Sequence, residues 1–208
     1  MRIGYGYDSH AFKPGVPLKI GGVAIEHPEG LAGHSDGDVL LHAITDALFG
    51  AVAVGDIGTF FPPNDARWKN ADSAVFLRVA MEEIEAAGYR IANVDTTLVL
   101  MQPKISPIAE TIRERVADLL KIAPGCVGIK AKTPEGLNQD GVAVAHAIVL
   151  LETLDKAEGL EVLAASVPTE EHIDTVLKKI GTEAFGTPAG ARARALPRKP
   201  PFDTEDIT

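Results

Sequence analysis

An acid and an imidazole stand two residues apart near the N-terminus, at Asp8 and His10. If this segment is a strand, both side chains point to the same face, because alternate residues of a strand share a face. The pair then converges on one point and supplies two of the donor types that bind divalent metal ions. A satisfied pair on the protein surface is the simpler alternative for these two residues taken alone.

A second histidine, His42, interrupts a run that is otherwise apolar over residues 39–44. It is either a core histidine with a hydrogen-bond partner or a ligand that a helix brings to Asp8 and His10. Two imidazoles and one carboxylate leave one coordination position open, as in catalytic zinc sites and unlike closed structural ones. The spacing alone leaves both interpretations open.

The strands and helices around these residues predict how they are positioned. Alternation over residues 2–7 favours a strand, and Ser35, with an acid three residues later, is typical of a capping box that begins a helix at about residues 37–54. The remaining pattern predicts a hairpin, a helix, a strand, a helix and two strands, at about residues 16–25, 73–87, 91–101, 105–121, 127–132 and 142–154. The last strand is nearly all apolar, which predicts burial on both faces. These elements predict an α/β (α+β sandwich) fold with helices packed on one face of a mixed sheet.

Composition limits the classes of function. The chain has 208 residues, a formal net charge of −9 and one cysteine, Cys126. The negative charge argues against a nucleic-acid partner, and no apolar run approaches the roughly 20 residues that span a bilayer. A single cysteine and an N-terminus without an apolar signal region predict a cytoplasmic protein. A change in character predicts a domain over residues 1–155 and an extension over 156–208, with one helix at about 169–180 before a mobile tail.

Four short motifs resemble those of a known enzyme family. They are DxH at residues 8–10, HSDGDVxxH at 34–42, GDIG at 55–58 and FPxxD at 61–65. With NVDTTLVLMQPK at 93–104 and KAKTPEGL at 130–137, they are similar to the 2-C-methyl-D-erythritol 2,4-cyclodiphosphate synthase family over about residues 1–153. The resemblance implies a homotrimer with its sheets around a threefold axis. It also implies active sites between subunits, where the Lys104 and Thr133 loops of a neighbouring subunit complete the site.

The resemblance also implies a reaction in the non-mevalonate isoprenoid pathway. Members of the family convert 4-diphosphocytidyl-2-C-methyl-D-erythritol 2-phosphate to the 2,4-cyclodiphosphate, as the 2-phosphate attacks the β-phosphorus and CMP leaves. Zinc bound by the residues that match Asp8, His10 and His42 keeps its fourth position for substrate phosphate. A second ion, Mg²⁺ or Mn²⁺, is held by the substrate diphosphate and by the acid that matches Glu135. Such cations offset the repulsion between two phosphates, roughly 4 kcal/mol for unit charges about 4 Å apart at an effective dielectric near 20.

Further site residues follow from the same resemblance. His34 contacts the attacking phosphate and Thr133 contacts phosphate on the other side, so these two are the implied transition-state stabilisers. Ser35 stands beside His34 before the predicted helix, where free N–H groups favour anions. The other implied substrate contacts are Asp8, His10, Asp56, Ile57, Gly58, Phe61, Pro62, Asp65, Pro103, Lys104 and Glu135.

The chain departs from the family pattern after residue 131. Lys132 and Pro134 stand where threonines are common, and Lys132 is expected to supply an additional cation to the phosphates. A shorter segment at 138–141 replaces one that usually carries an arginine beside a phosphate pocket on the threefold axis. We therefore predict that this pocket, which binds isoprenoid diphosphates in the family, is weakened or lost. These departures keep open the alternative of a non-catalytic metal-binding interaction protein, and a metal-dependent phosphodiesterase or phosphatase is a second alternative because it could use the same ligands.

Overall fold

The computed structural model describes residues 1–136 and 141–154. Its strands and helices are, in chain order, β1 (Arg2–Pro14), β2 (Leu18–Ile20), β3 (Val23–Ile25), β4 (Glu29–Leu31), α1 (Val39–Val52), α2 (Ile57–Phe60), α3 (Ser73–Ala86), β5 (Tyr89–Val99), α4 (Ala109–Leu120), β6 (Val127–Lys132) and β7 (Val142–Thr153). Short 3₁₀ helices lie at Ala66–Trp68, Ser106–Ile108 and Pro124–Cys126. The first strand is longer than predicted, so that Asp8 and His10 lie within it. The predicted extension over 156–208 lies outside the described residues.

Five strands form one mixed sheet in the order β4-β1-β7-β5-β6. β1 pairs antiparallel with β4 and β7, while β5 pairs antiparallel with β7 and parallel with β6. β2 and β3 form the separate hairpin that the sequence predicts. The predicted α/β fold with a mixed sheet is therefore confirmed. In the part of the chain that the structure describes, no helix combines the length and the apolar character that crossing a membrane requires.

Within residues 1–136 and 141–154, helices α1, α3 and α4 cover one face of this sheet and leave the other face open. β7 shows the difference, because Ala147 and Val149 are fully buried whereas Ile148, between them, is 49% exposed. The prediction that this strand is buried on both faces is therefore wrong for the single chain. Ile148 lies on the open face of the sheet, which also carries the exposed apolar side chains of Ile3, Tyr5 and Tyr7.

Two glycines of β1 let helix α1 lie directly against the strand. A Cβ atom added at Gly6 would lie 1.9 Å from the carbonyl oxygen of Ala43, and one at Gly4 would lie 1.8 Å from that of Ala47. Real Cβ contacts are essentially never under 3.0 Å, so the backbones approach more closely than any other residue would permit. This approach places the first turn of α1, with His42, over Asp8 and His10.

Helix α1 begins at Val39, two residues later than predicted, and its N-cap is Asp38. The fully buried Asp38 carboxylate accepts hydrogen bonds from the backbone N–H of Leu41 at 3.1 Å, of Gly21 at 2.8 Å and of Gly22 at 2.6 Å. Burial raises the pKa of Asp38, although these hydrogen bonds act in the opposite direction. The predicted capping box with Ser35 is wrong, because the N-cap is Asp38, the acid three residues after Ser35. Through Gly21 and Gly22, Asp38 also ties the helix to the β2–β3 hairpin.

The helix predicted over residues 105–121 is divided in the structure. A 3₁₀ turn at Ser106–Ile108, with Pro107 in its first positions, precedes α4, which runs from Ala109 to Leu120. Proline suits the first turn of a helix because it has no N–H to leave unpaired. The division leaves Lys104 in a loop between β5 and this turn.

Candidate metal centre

Three side chains from β1 and α1 meet at one point, as the spacing of Asp8 and His10 and the position of His42 predict. Asp8 Oδ2 lies 2.9 Å from His10 Nε2 and 2.9 Å from His42 Nδ1, and the two imidazole nitrogens are 3.0 Å apart. Among the described residues this is the one group of three or more His, Cys, Asp or Glu side chains whose ligand atoms converge within 4.8 Å. His42 is thus not a core histidine with an unrelated partner.

The donor set fits a single divalent ion. Each side of the donor triangle is shorter than twice a zinc–ligand bond of about 2.0–2.2 Å, so one ion reaches all three atoms. The Asp8 and His10 side chains keep 26% and 17% of their exposure, so the group faces solvent rather than a closed core. Two imidazoles and one carboxylate with solvent access are the composition of a site that keeps a position for a ligand.

The carboxylate of the group is already in the charge state that metal binding requires, whereas the His10 imidazole favours its protonated form. Burial opposes ionisation of Asp8, but hydrogen bonds from His10 and His42 outweigh it and hold the pKa of that carboxyl well below its usual range. Burial likewise opposes protonation of His10, but the hydrogen bond to Asp8 prevails and raises its pKa. Asp8 is therefore a carboxylate at any physiological pH. A metal ion that binds here competes with the proton on His10.

A second layer of polar side chains surrounds His42. Its Nε2 atom lies 2.8 Å from the hydroxyl oxygen of Ser73 and 3.0 Å from that of Ser35. The Ser73 hydroxyl donates to Asp36, whose carboxylate also accepts a hydrogen bond from Lys19 at 3.2 Å. Sequence reasoning assigned no role to Ser73, Asp36 or Lys19. The predicted start of a helix at residue 73 was the one available signal, and it carries no indication of a contact with residue 42.

His34 and the loop at residues 61–65 lie together beside this group. His34 Nε2 is 3.4 Å from the backbone oxygen of Asp65, and the His34 side chain is exposed. Asp65 in turn accepts hydrogen bonds from Arg67 Nε at 2.9 Å and from a second guanidinium nitrogen of Arg67 at 2.6 Å. The Arg67 guanidinium holds the pKa of Asp65 below its usual value. An exposed imidazole next to Ser35 is therefore available to an anionic ligand.

Aromatic packing places Phe61 under this loop rather than on its surface. Phe61 is 5% exposed and its ring lies 4.4 Å from that of Phe76 and 5.0 Å from that of Trp68. Its side chain supports the loop on which the half-buried Pro62 stands, and its contact with substrate stays a prediction. The single tryptophan of the chain belongs to the same aromatic cluster, since its ring lies 6.0 Å from that of Phe76.

The segment at 56–58 is held to α1 by a residue that sequence reasoning missed. Asp46 Oδ1 accepts a hydrogen bond of 2.8 Å from the backbone N–H of Ile57. Asp56 caps α2 and accepts from both the backbone N–H and the hydroxyl of Thr59, at 2.8 and 2.7 Å. Asp46 lies one turn after His42, so α1 positions both the metal group and the segment at 56–58, in which Asp56 and Gly58 are exposed.

The remaining predicted site residues lie elsewhere in the single chain. Strand pairing puts Asp8, Ala145, Leu98 and Ala131 in one row across β1, β7, β5 and β6. Three strand spacings of about 4.8 Å separate the ends of that row by roughly 14 Å. Thr133, which donates a hydrogen bond to Glu135, therefore follows β6 far from the Asp8 group. Pro103 and Lys104 lie in the loop after β5, which is the neighbour of β6 and is separated from β1 by β7.

Comparison with known proteins places the chain in a family. The YgbB family model matches residues 1–152. The 2-C-methyl-D-erythritol 2,4-cyclodiphosphate synthase of Koribacter versatilis is 66% identical over 152 residues, which are 73% of this chain and 98% of that relative. The chloroplastic synthase of Oryza sativa is 50% identical over 154 residues, covering 73% of this chain and 69% of that one.

Solved structures agree with the sequence relatives. A 2C-methyl-D-erythritol-2,4-cyclodiphosphate synthase superposes with a TM-score of 0.69 at 42% identity, covering 73% of this chain and 100% of that one, and a CDP-bound form matches equally well. IspF of Plasmodium falciparum in complex with CDP has a TM-score of 0.66 at 36% identity, covering 74% of this chain and 97% of that one. The chain therefore belongs to the YgbB family, the family of the 2-C-methyl-D-erythritol 2,4-cyclodiphosphate synthases.

Proposed function

We propose that this chain converts 4-diphosphocytidyl-2-C-methyl-D-erythritol 2-phosphate to 2-C-methyl-D-erythritol 2,4-cyclodiphosphate with release of CMP. In this reaction an oxygen of the 2-phosphate forms a bond to the β-phosphorus, and the bond between that phosphorus and CMP breaks. The observation that carries the proposal is the convergence of Asp8, His10 and His42 in a chain of this family. CDP complexes of similar proteins support a cytidine nucleotide as part of the ligand.

The Asp8, His10 and His42 side chains would hold Zn²⁺, and Glu135, together with the substrate diphosphate, would hold Mg²⁺ or Mn²⁺. A bound divalent ion supplies a Lewis acid that neutralises charge on the transferred phosphoryl group. Asp8 suits this role because it is ionised, and His10 and His42 suit it because each presents one ring nitrogen to the same point.

We assign positioning and charge stabilisation to the loops around the metal group. His34 and Ser35 contact the attacking phosphate, while Asp56, Ile57 and Gly58 bind the methylerythritol hydroxyls. Lys104, after Pro103, binds the CMP phosphates, and Thr133 contacts the phosphoryl group that is transferred. Bringing the 2-phosphate and the β-phosphorus together in this way removes the entropy barrier of closing a medium ring, where aligned groups reach effective molarities of about 10⁵ M or more. A phosphate is already ionised near neutral pH, so the attack needs no general base.

We further propose a homotrimer in which a neighbouring subunit brings Lys104 and Thr133 to Asp8, His10 and His42. Two features support it. The open face of the sheet carries exposed apolar side chains at Ile3, Tyr5, Tyr7 and Ile148, a patch of the kind that marks an interface between chains. The gap of roughly 14 Å between β1 and β6 within one chain separates the metal group from Thr133, one of its predicted phosphate contacts.

Two further predictions concern the binding of isoprenoid diphosphates and the location of the protein in the cell. We predict that isoprenoid diphosphates bind weakly, because the segment at 138–141 lacks the arginine of the family pattern. Calorimetric titration with geranyl diphosphate tests this, and tight binding contradicts it. The cytoplasmic location stays a prediction, and the rice relative is chloroplastic.

Phosphorus NMR of the purified protein with the cytidine substrate tests the proposed reaction. We expect signals of the cyclic diphosphate and of CMP, and their loss in the His42→Ala variant and after chelation of the metal. A linear product or inorganic phosphate would instead indicate a phosphodiesterase or phosphatase. An unchanged spectrum with a metal-loaded protein would indicate a non-catalytic metal-binding protein.

A further inference from the structure

The imidazole of His42 has two nitrogens with different surroundings. Nδ1 faces Asp8 and His10, at 2.9 and 3.0 Å, and Nε2 faces away from them into the polar layer formed by Ser35 and Ser73. A metal ion on Nδ1 requires the lone pair of that nitrogen, so the ring proton must reside on Nε2. Nε2–H then needs an acceptor, and the acceptor that it finds sets both the tautomer and the orientation of the ring.

Ser73 is arranged to be that acceptor. A hydroxyl has one proton and two lone pairs, and the proton of Ser73 is committed to Asp36 Oδ1. Only lone pairs are therefore left to face His42 Nε2, which lies 2.8 Å away. Ser35 approaches the same nitrogen at 3.0 Å, but its hydroxyl proton has no fixed acceptor among its described hydrogen bonds. Ser73 is fully buried at the first position of α3, so its hydroxyl cannot turn to solvent.

Asp36 is fixed in turn by donors on several sides. Besides the Ser73 hydroxyl, its carboxylate accepts from Lys19 Nζ at 3.2 Å and from the backbone N–H groups of Ser73 and Asp38, both at 3.3 Å. Donors therefore face both oxygens of Asp36, so that this side chain is the acceptor in each of these bonds. Because Asp36 only accepts, Ser73 donates its proton to Asp36 and accepts a hydrogen bond from His42.

We infer that Ser73 is a positioning residue for the metal centre and that Asp36 orients it. Ser73 accepts from Nε2–H and holds the His42 ring with Nδ1 toward Asp8 and His10, so that Nδ1 can give its lone pair to an ion bound there. This inference rests on the proposed metal site. It means that two side chains that do not bind the ion, Asp36 on the loop before α1 and Ser73 on α3, contribute to metal affinity. Removal of such outer partners typically weakens metal binding by about 10- to 100-fold.

Competition between the protein and a chelator for Zn²⁺ tests the inference, with the visible absorption of the Co²⁺-loaded protein as a second readout of coordination. We expect Ser73→Ala to bind Zn²⁺ about 10- to 100-fold more weakly and to show an altered Co²⁺ spectrum. Asp36→Asn keeps one oxygen that can accept from the Ser73 hydroxyl, but it replaces the oxygen that accepts from Lys19 by an amide donor, so a smaller loss in the same direction is expected. Asp36→Asn alone decides the question if Ser73→Ala does not fold.

Asp72→Ala is the matched control. Asp72 is the N-cap of the same helix and accepts from Ala74 at 2.9 Å, while its other described contact is with Lys19 at 3.6 Å. We expect this variant to melt at a lower temperature and to retain its Zn²⁺ affinity. Loss of affinity in Asp72→Ala equal to that in Ser73→Ala, or no loss in Ser73→Ala or Asp36→Asn, overturns the inference. Absence of Zn²⁺ binding in the unaltered protein instead overturns the proposed metal site itself.

Discussion

The glycines of β1 give the account its sharpest prediction about how the fold positions the site. Gly6 lies on the same face of the strand as Asp8 and His10, and an added Cβ would lie 1.9 Å from the carbonyl oxygen of Ala43. Ala43 is the neighbour of His42 on α1. Replacing Gly6 by Ala therefore forces the helix away from the strand at the point where the third metal ligand is attached.

The size of the effect follows from that distance. Restoring a contact of 3.0 Å requires the helix and strand to separate by about 1.1 Å at Ala43. Overpacking of this kind costs about 1–3 kcal/mol in a well-packed core, which corresponds to a fall in Tm of roughly 2–12 °C for a chain of this length. Zinc–ligand distances tolerate changes of only about 0.2 Å, so a shift of His42 by most of 1 Å should weaken Zn²⁺ binding by roughly tenfold or more.

Two other glycines provide matched controls. At Gly4 the added Cβ meets the carbonyl of Ala47 at 1.8 Å, a similar clash but more than one turn beyond His42 along α1. We expect Gly4→Ala to lower Tm about as much as Gly6→Ala and to reduce Zn²⁺ affinity less. At Gly125 a Cβ meets no atom within 4 Å, so Gly125→Ala should change neither property. Thermal melting and chelator competition measure both. Equal Zn²⁺ affinity in Gly6→Ala and the unaltered protein, despite a lower Tm, would refute the reasoning.

Three further predictions concern the cap, the charges and the open sheet face. Asp38→Ala leaves three backbone N–H groups without their acceptor, at about 1–3 kcal/mol for each stranded donor, so urea denaturation should show a loss of at least about 2 kcal/mol; less than 1 kcal/mol contradicts this. In the metal-free protein, the lowered pKa of Asp8 contributes stability that is present above its ordinary value of 3.8 and lost as the pH falls through the folded value. The raised pKa of His10 contributes stability that is present below 6.5 and lost as the pH rises through the folded value. The Tm difference between metal-free protein and Asp8→Asn should therefore be largest between pH 3.8 and 6.5, and a difference that grows above that window would be inconsistent with these shifts. Ile148→Asp places a charge on the open sheet face and should reduce the proposed trimer to monomers in light scattering, whereas an unchanged mass argues against that interface.

Periodicity offered the metal group as one of two open interpretations of His42, and the family resemblance decided between them. Alternation along β1 puts Asp8 and His10 on one face, and the helical run around residue 42 brings His42 from a second element, so the three residues could be joined before any coordinates. The same alternation also places Gly4 and Gly6 on that face, and Ile3, Tyr5 and Tyr7 on the opposite one. This was an available signal for close helix packing, and it went unused because small residues carry no chemistry of their own.

The parts that could not be predicted depend on contacts between distant segments. Ser73 meets His42 across 31 residues, and nothing in the local pattern of α3 indicates it. Ser35 and Asp38 both satisfy the capping preferences of residues before a helix, and the choice between them is made by the backbone N–H groups of the β2–β3 hairpin. The apolar composition of β7 predicts burial, but it does not distinguish a face covered by a helix from one left for another chain.

X-ray diffraction from Zn²⁺-loaded crystals, recorded on both sides of the zinc absorption edge, tests the central claim most directly. The account predicts one strong anomalous peak per chain within about 2.0–2.2 Å of Asp8 Oδ2, His10 Nε2 and His42 Nδ1, with a position left for a non-protein ligand. The same peak should be absent from crystals of His42→Ala. A zinc peak elsewhere, with the three side chains bonded only to one another, would contradict it.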